Sequence, residues 1–222
     1  MTTLPLSAAL REATTQAHED AEHSVFITRL MNGGASASDF AAFTAQLHPV
    51  YVALEAAMDA HAAHPVVAAL HDPLLIRTPR LASDLGVLFG SDWADRVEDG
   101  RIAILPATRA YVERIGSLDR PEALVAHHYV RLLGDLSGGQ ALAKLVARHY
   151  GVPDTALTFY RFDGIDKAKP YKDAYRATLD ALPLDVETQA LVVREAIRTF
   201  RLNQAVFADL EQARTSALRA AS

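Results

Sequence analysis

Three glycines within six residues interrupt a segment that otherwise favours helix. The segment reads YVRLLGDLSGGQ over Tyr129–Gln140. A glycine inside a helix costs about 1 kcal/mol relative to alanine, so three of them indicate a gain from the missing side chains. Gly134 and Gly138 are four residues apart and share a helical face, where they would let a flat ligand approach the backbone. Close packing between helices explains the same pair equally well, and the glycines also permit a kink.

The residues around the glycines exclude two other uses of such a run. Charged residues on both sides are incompatible with a helix-dimer motif inside a membrane. A phosphate-binding loop needs a preceding strand and a Gly-Lys-Ser or Gly-Lys-Thr sequence, and the segment has neither pattern. Asp135 lies beside the glycines, and Arg131 precedes it by four residues, so the two can pair on one helical face. A surface ion pair is the alternative interpretation.

One histidine among nine says little about metal binding by itself. Glu22 follows His18 by one helical turn, where a carboxylate can orient an imidazole. The run His18–Glu22 (HEDAE) is one residue away from the zinc-protease motif, because its fifth residue is glutamate where that motif needs histidine. The Glu-x-x-His pair of di-iron carboxylate bundles does not occur in the chain. His23 is the nearest alternative ligand, and the histidines at 48, 127, 128 and 149 are expected at the surface or in ordinary packing.

The run GDLSGGQ at Gly134–Gln140 closely resembles the signature of the distal helix in haem oxygenases. The stretch LREAT at Leu10–Thr14, with the following His18 and Glu22, resembles the proximal helix of that family. Three later segments resemble the family in the same order, namely Tyr51–Glu55, Lys172–Arg176 and Phe200–Asn203. The resemblance covers roughly residues 4–214.

The resemblance implies that haem is both cofactor and substrate and that His18 is the proximal ligand of its iron. The distal residue is then Asp135, a carboxylate that delivers protons through ordered water, where a distal histidine or arginine would favour peroxidase chemistry. The glycine backbone beside it leaves room for dioxygen over the ring. The residues that the resemblance assigns to catalysis are Asp135, Arg131, Tyr51, Gly134, Gly138 and Gly139.

Cations and a hydroxyl are expected where the two haem propionates emerge. Arg11 stands where many relatives have lysine, and its forked guanidinium still suits a carboxylate. The propionate anchors set which ring edge faces the oxygen, so the departure at Arg11 leaves the position of cleavage open. The resemblance implies cleavage at the α-meso carbon. The residues that the resemblance assigns to haem binding are Arg11, Glu22, Tyr129, Lys172, Arg176, Phe200 and Asn203. Phe200 is equally well explained as core, because it lies on the apolar stripe of its helix.

The implied reaction converts haem, with dioxygen and reducing equivalents, to biliverdin, carbon monoxide and ferrous iron, for iron release or bilin supply. The chain has no flavin or nicotinamide fingerprint, so an external donor is expected: a ferredoxin, a flavodoxin or an NADPH-dependent reductase. A haem carrier on the same fold is one alternative, although it need not keep Asp135 and the glycines. A thiamin-salvage hydrolase on a related helical architecture is another, and such enzymes commonly use a cysteine. A purely structural bundle leaves the glycines unexplained.

Composition sets limits on the class of protein. The chain has 222 residues, a net charge of −5 and no cysteine. An acidic balance argues against binding to nucleic acid, and the missing cysteine excludes disulfides, thiolate catalysis and iron–sulfur clusters. Because no signal peptide and no run of about 20 apolar residues is present, we expect a soluble, cytoplasmic protein without a membrane partner.

The elements that must position these residues are helices throughout. Alanine and leucine dominate, and alternating β-branched runs are nearly absent. We predict an all-α, single-domain helical bundle over residues 1–222, with haem held between a proximal helix and a kinked distal helix. The predicted helices span residues 7–31, 36 or 38 to 61, 81–89, 108–115, 119–150 with a disturbance at the glycines, 167–182 and 186–213.

Overall fold

The computed structural model describes residues 4–220, so residues 1–3 and 221–222 of the predicted domain lie outside the described residues. Within this range the residues form helices joined by turns, without a β-strand. The α-helices are α1 (Leu6–Glu22), α2 (Val25–Met31), α3 (Ala37–Ala60), α4 (Pro65–Ala68), α5 (Thr78–Phe89), α6 (Trp93–Glu98), α7 (Pro106–Gly116), α8 (Leu124–Gly134), α9 (Gln140–Tyr150), α10 (Ala168–Asp180) and α11 (Val186–Ala220).

The prediction of one helix over residues 7–31 is wrong, because the chain breaks at His23 and Ser24. His23 Nδ1 lies 2.8 Å from the carbonyl oxygen of Glu19, and Ser24 is extended at φ −57° and ψ 146°. Polar side chains that bond locally to the backbone compete with the helical ladder in this way. The break redirects α2, so that Phe26 and Leu30 are buried in the core.

Other helix ends show how local sequence sets the boundaries. Ser36 is the N-cap of α3 and forms a capping box with Asp39, which decides between the two predicted caps. Gly151 ends α9 in the left-handed conformation at φ 65°, as predicted. Asp119 does not cap α8, which is preceded by a 3₁₀ turn at Pro121–Ala123. The short helices α4 and α6 were not predicted, and α11 extends to Ala220 and not 213.

One continuous apolar core joins the helices, with the long α11 packed against α1, α2, α7 and α8. A smaller cluster of Ala45, Leu85 and Ile102 lies between α3, α5 and the segment after α6. No helix in residues 4–220 is both long enough and apolar enough to pass through a bilayer.

A buried ion cluster ties α11 to two neighbouring helices. Glu195 is 6% exposed and accepts two hydrogen bonds from Arg114 of α7, at 2.8 and 2.7 Å. His127 of α8 lies 3.1 Å from the same carboxylate. Burial alone would raise the pKa of Glu195, but the hydrogen bonds from Arg114 and His127 lower it to about 2. The carboxylate is therefore charged in the folded protein at neutral pH.

We expect Glu195→Gln to lower the free energy of unfolding by about 3 kcal/mol at neutral pH, because it leaves the buried His127 and the partly buried Arg114 without their anionic acceptor. The pKa of Glu195 is lower in the folded chain than in the unfolded one, so this stability is lost as pH falls. The difference between parent and variant should therefore shrink between pH 4.5 and about 2. Urea unfolding at several pH values measures it.

Glu113→Gln is the matched control, because Glu113 is exposed on α7, next to Arg114. It should change the free energy of unfolding by no more than about 0.5 kcal/mol. Equal losses in the two variants would contradict the role given to Glu195.

Candidate functional site

The helix that carries the glycine run changes its hydrogen-bonding pattern at the site. α8 ends at Gly134, Asp135–Gly139 form a π-helical segment, and α9 begins at Gln140. A π segment is a widened turn within a helix and occurs frequently at functional positions. The predicted disturbance of this helix is therefore confirmed, and it takes the form of a widened turn.

Gly134, which precedes the π segment, and Gly138, within it, border open space, whereas Gly139 packs against the protein. A Cβ atom added at Gly134 or Gly138 would have no heavy atom within 4 Å, so both residues present bare backbone to open space. A Cβ atom at Gly139 would instead lie 2.9 Å from Cδ1 of Tyr160. Gly134 and Gly138 thus leave room for an object from outside the chain, whereas Gly139 leaves room for a tyrosine ring of the protein itself.

A buried polar network surrounds Asp135, which begins the π segment. The hydroxyl group of Tyr51, on α3, donates a hydrogen bond to Asp135 Oδ2. Arg131 Nη2 lies 3.8 Å from Asp135 Oδ1, and the guanidinium carbon is 5.1 Å from the centre of the Tyr51 ring. The side chains of Arg131 and Asp135 are only 10% and 13% exposed, so this is not a surface ion pair.

Asn203 belongs to this network as well. Its Oδ1 atom accepts a hydrogen bond from Arg131 Nη1 at 3.0 Å, which connects α11 to α8. The family resemblance assigns Asn203 to haem binding, and in the structure its side chain forms a hydrogen bond with Arg131. The amide therefore fixes the position of the guanidinium beside Asp135.

Burial and neighbouring charges shift the pKa values of the network residues in opposite directions. Burial raises the pKa of the Asp135 carboxyl above its usual value, and Arg131 and the Tyr51 hydroxyl only partly oppose this. Burial would lower the pKa of Arg131, but Tyr51 and Asp135 raise it overall. The arginine is a permanent cation, while a carboxyl group with a raised pKa can exchange a proton closer to neutral pH.

His18 lies on α1 with its side chain half-exposed. Glu22 Oε2 is 3.5 Å from His18 Nδ1, one turn along the helix. The imidazole also packs edge-on against the ring of Phe200, with 5.8 Å between ring centres. Phe200 is 8% exposed and belongs to the apolar core, which confirms the first of the two roles that the sequence left open. The Glu22 carboxylate therefore faces the Nδ1 side of the imidazole.

Cations from two helices gather around a hydroxyl on a third. Burial raises the pKa of Tyr129 on α8, while a hydrogen bond to Thr14 of α1 and the charges of Arg176 and Arg11 lower it. Both arginines therefore lie close to the Tyr129 hydroxyl. Thr14 is one turn before His18 on α1, so this group of charges adjoins the histidine.

Lys172, one turn before Arg176 on α10, contacts the π segment. Lys172 Nζ donates a hydrogen bond to the hydroxyl oxygen of Ser137 at 3.0 Å, and Arg176 Nη1 donates to Asp173 at 2.9 Å. Lys172 and Arg176 are both partly exposed. The basic residues predicted for the propionates thus lie on α1 and α10, and the predicted tyrosine lies on α8.

These groups fit a flat metal complex that carries carboxylates. The half-exposed imidazole of His18 is available as a metal ligand. The bare backbone of Gly134 and Gly138 leaves room for a planar ring, and the cations suit acidic substituents. An iron porphyrin with two propionates has this shape and charge. The fold and the site therefore define an all-helical, haem-binding class of protein.

Comparison with known proteins identifies the family. The model of the family described as Heme oxygenase matches residues 4–209. Haem oxygenase 1 of Gallus gallus is 40% identical over 212 residues, which cover 93% of this chain and 70% of that protein. A haem oxygenase of Pyropia yezoensis is also 40% identical, with 92% of this chain and 85% of that protein covered.

Solved structures show the same relationship. Haem oxygenase-1 of the cyanobacterium Synechocystis, determined in complex with haem, has a TM-score of 0.90 and 34% identity, covering 97% of this chain and 96% of that one. The enzyme of Leptospira interrogans has a TM-score of 0.85 and 33% identity, covering 92% and 98%. The chain belongs to the haem oxygenase family. It is an oxidoreductase that degrades haem.

Three residues at the site had no signal in the sequence. Tyr111 and Tyr160 are buried near the Asp135 network, and their hydroxyl groups have no hydrogen-bond partner among the described residues. Arg77 is 4% exposed and donates to the carbonyl oxygens of Phe159 and Arg161, which fixes the segment that carries Tyr160. The two hydrogen bonds of Arg77 join residues 82 and 84 positions apart, so spacing along the chain could not indicate them.

We expect Gly139→Ala to lower the free energy of unfolding of the apoprotein by about 1–3 kcal/mol, because the added methyl group overlaps the Tyr160 ring. Gly138→Ala is the matched control. Its methyl group enters open space, so stability should be unchanged or rise by up to about 1 kcal/mol. Urea unfolding of both variants measures the difference. Equal stability would mean that the Tyr160 ring moves aside at no cost.

Proposed function

We propose that this protein opens the porphyrin ring of haem with dioxygen and external electrons, releasing biliverdin, carbon monoxide and ferrous iron. The observation that carries the proposal is the buried, hydrogen-bonded carboxyl group of Asp135, held one turn from the bare backbone of Gly138. A haem carrier needs a ligand and an anchor, but it does not need a carboxyl group with a raised pKa at the distal position.

His18 is proposed as the iron ligand through Nε2. The contact between its Nδ1 atom and Glu22 supports this role, since a carboxylate on the other nitrogen fixes the ring orientation and raises its basicity. Phe200 supports the same ring from its edge. When bound, haem supplies the iron that activates dioxygen and the ring that is opened.

Arg11, Tyr129, Lys172 and Arg176 are proposed to hold the propionates. The positive charges of Arg11 and Arg176, which act on the Tyr129 hydroxyl from two other helices, support this assignment. Anchoring of the propionates sets the rotation of the ring in its plane. We therefore propose cleavage at the α-meso carbon.

The proposed task of Asp135 is to hold and move a proton at its carboxylate oxygens. Tyr51 donates to Oδ2, and Arg131 faces Oδ1, so the group has one neutral and one cationic neighbour. Burial raises its pKa toward the range in which a carboxyl group can donate a proton. Asn203 keeps Arg131 in place, while Gly134 and Gly138 keep the adjoining space clear.

The electrons are proposed to come from a separate protein, a ferredoxin, a flavodoxin or an NADPH-dependent reductase, because the chain has no motif for a flavin or nicotinamide. We further propose a cytoplasmic location on the basis of the cysteine-free sequence, for iron release or bilin supply.

We expect His18→Ala to lose the Soret spectrum of a histidine-ligated haem when haemin is added to the apoprotein. His23→Ala is the control, because it changes a neighbouring exposed imidazole at the end of the same helix. Free imidazole should restore the spectrum of His18→Ala by occupying the vacated position. A Soret band in His18→Ala equal to that of the parent would contradict the assignment.

The proposed reaction is tested by adding haemin, then a reductase system with catalase present, and following the visible spectrum and carbon monoxide. The parent should lose its Soret band, gain broad red absorption and release the gas. Asp135→Asn should bind haemin normally and open the ring about 100-fold or more slowly, because it cannot exchange the proton.

Asp95→Asn, a change at an exposed carboxylate on α6, is the control and should react at the parent rate. A stable Soret band in the parent with several donors would indicate a haem carrier. If Asp135→Asn formed biliverdin at the parent rate, the proposed proton transfer would be wrong.

A further inference from the structure

The hydroxyl group of Tyr160 is buried without a hydrogen-bond partner in the described part of the chain. Tyr160 is 4% exposed, and its oxygen has almost no contact with solvent. A buried hydroxyl without a partner is unfavourable, and buried water molecules commonly satisfy such groups. Phenylalanine would fill the same space without this cost, so the hydroxyl needs an explanation.

The ring of Tyr160 is held firmly in place. It ends the 3₁₀ turn Thr158–Tyr160, and its centre lies 4.8 Å from the Phe159 ring and 6.5 Å from the Phe40 ring. The turn itself is fixed, because Asp84 of α5 accepts hydrogen bonds from the backbone nitrogens of Thr158 and Phe159 at 2.9 Å each. The hydroxyl therefore cannot swing to a different environment.

The ring lies on the same side of the π segment as the side chain of Asp135. A Cβ atom added at Gly139 would be 2.9 Å from Tyr160 Cδ1 and 3.9 Å from Asp135 Cβ. Tyr160 also forms part of the wall of a surface groove beside Gln140 and Lys144. Because its oxygen is buried all the same, the hydroxyl points into the protein and away from that groove.

The surroundings of Tyr160 contain further polar atoms that lack a partner among residues 4–220. One is Arg131 Nε, on the residue that pairs with Asp135. The charged groups that act on Tyr160 are Asp135 and Arg131 from the distal helix and Asp84 from α5. A water molecule among these groups would have several polar partners, as a buried water requires.

We propose that Tyr160 is a positioning residue of the Asp135 network, with its hydroxyl linked to the carboxyl group through a buried water molecule. Tyr51, on α3, donates a hydrogen bond to Oδ2, and Tyr160 lies in the 3₁₀ turn that follows α9. The hydrogen bond stabilises the charged carboxylate and so limits how far burial raises its pKa. The significance for ring opening rests on the proposed function, but the link itself does not require haem.

The first test uses the apoprotein. Tyr160→Phe removes only the hydroxyl, and we expect it to lower the urea midpoint of unfolding, because a satisfied hydrogen bond is lost. Tyr150→Phe is the matched control, since its hydroxyl donates to the carbonyl oxygen of Leu30 at 2.7 Å, at the end of α2. An unchanged or higher midpoint in Tyr160→Phe would show that the hydroxyl has no partner and would overturn the proposal.

The second test uses the ferric haem complex, whose visible spectrum is followed as a function of pH. Tyr160→Phe should move the midpoint of the spectral transition upward by about half a pH unit, the effect of one hydrogen bond to a charged form. The same substitution in Asp135→Asn should cause no further shift, and Tyr150→Phe should cause none. Equal shifts in the parent and Asp135→Asn backgrounds would overturn the link to Asp135.

The two tests separate this inference from the proposed function. If the protein bound haem but did not open the ring, both results on Tyr160 would still stand. If it bound no haem, the urea midpoints alone would decide the inference.

Discussion

Asp135 places a largely buried carboxyl group between α8 and α9, at the start of the π segment. Asp135 is taken from water at the start of a widened turn, and its charge must be met by groups from elsewhere in the chain. Tyr51 of α3 donates a hydrogen bond to it, and Arg131, one turn earlier on α8, faces it. Asn203 of α11 holds Arg131 in place. The bundle must bring α3, α8 and α11 together to satisfy one side chain, so the polar network and the apolar core specify the same packing.

The glycine run has two separate physical consequences. Gly134 and Gly138 leave backbone exposed to open space, which suits a planar ligand, while Gly139 admits the Tyr160 ring against the same helix. A side chain at the first two positions would obstruct the ligand, and one at the third would disturb the folded chain itself. One short motif therefore combines a requirement of binding with a requirement of packing, which explains three glycines where a ligand alone would need two.

Two charged side chains, Arg77 and Asp84, hold the irregular segment after α9 in place. Arg77 is buried, lies 4.2 Å from the centre of the Phe162 ring, and binds two backbone carbonyl groups of the segment after α9. Asp84 binds two backbone nitrogens of the same segment. Irregular backbone near an active site thus has its polar groups satisfied by charged side chains, and this holds the aromatic rings in fixed positions.

The sequence alone was enough to predict the helical class, and its contiguous glycine motif was enough to predict the family. It also indicated His18, Asp135 and the basic residues as candidates for the site. These features are local, because periodicity, caps and motifs depend on neighbours within a few residues. The tertiary structure was needed to show that α1 and α2 are separate and that Asn203 binds Arg131. It was also needed to show that Tyr160 and Arg77 lie beside the site. The contacts of Asn203, Tyr160 and Arg77 join residues distant in sequence, and such contacts leave no periodic trace along the chain. The break between α1 and α2 depends on local hydrogen bonds, which the helical pattern of the flanking residues does not show.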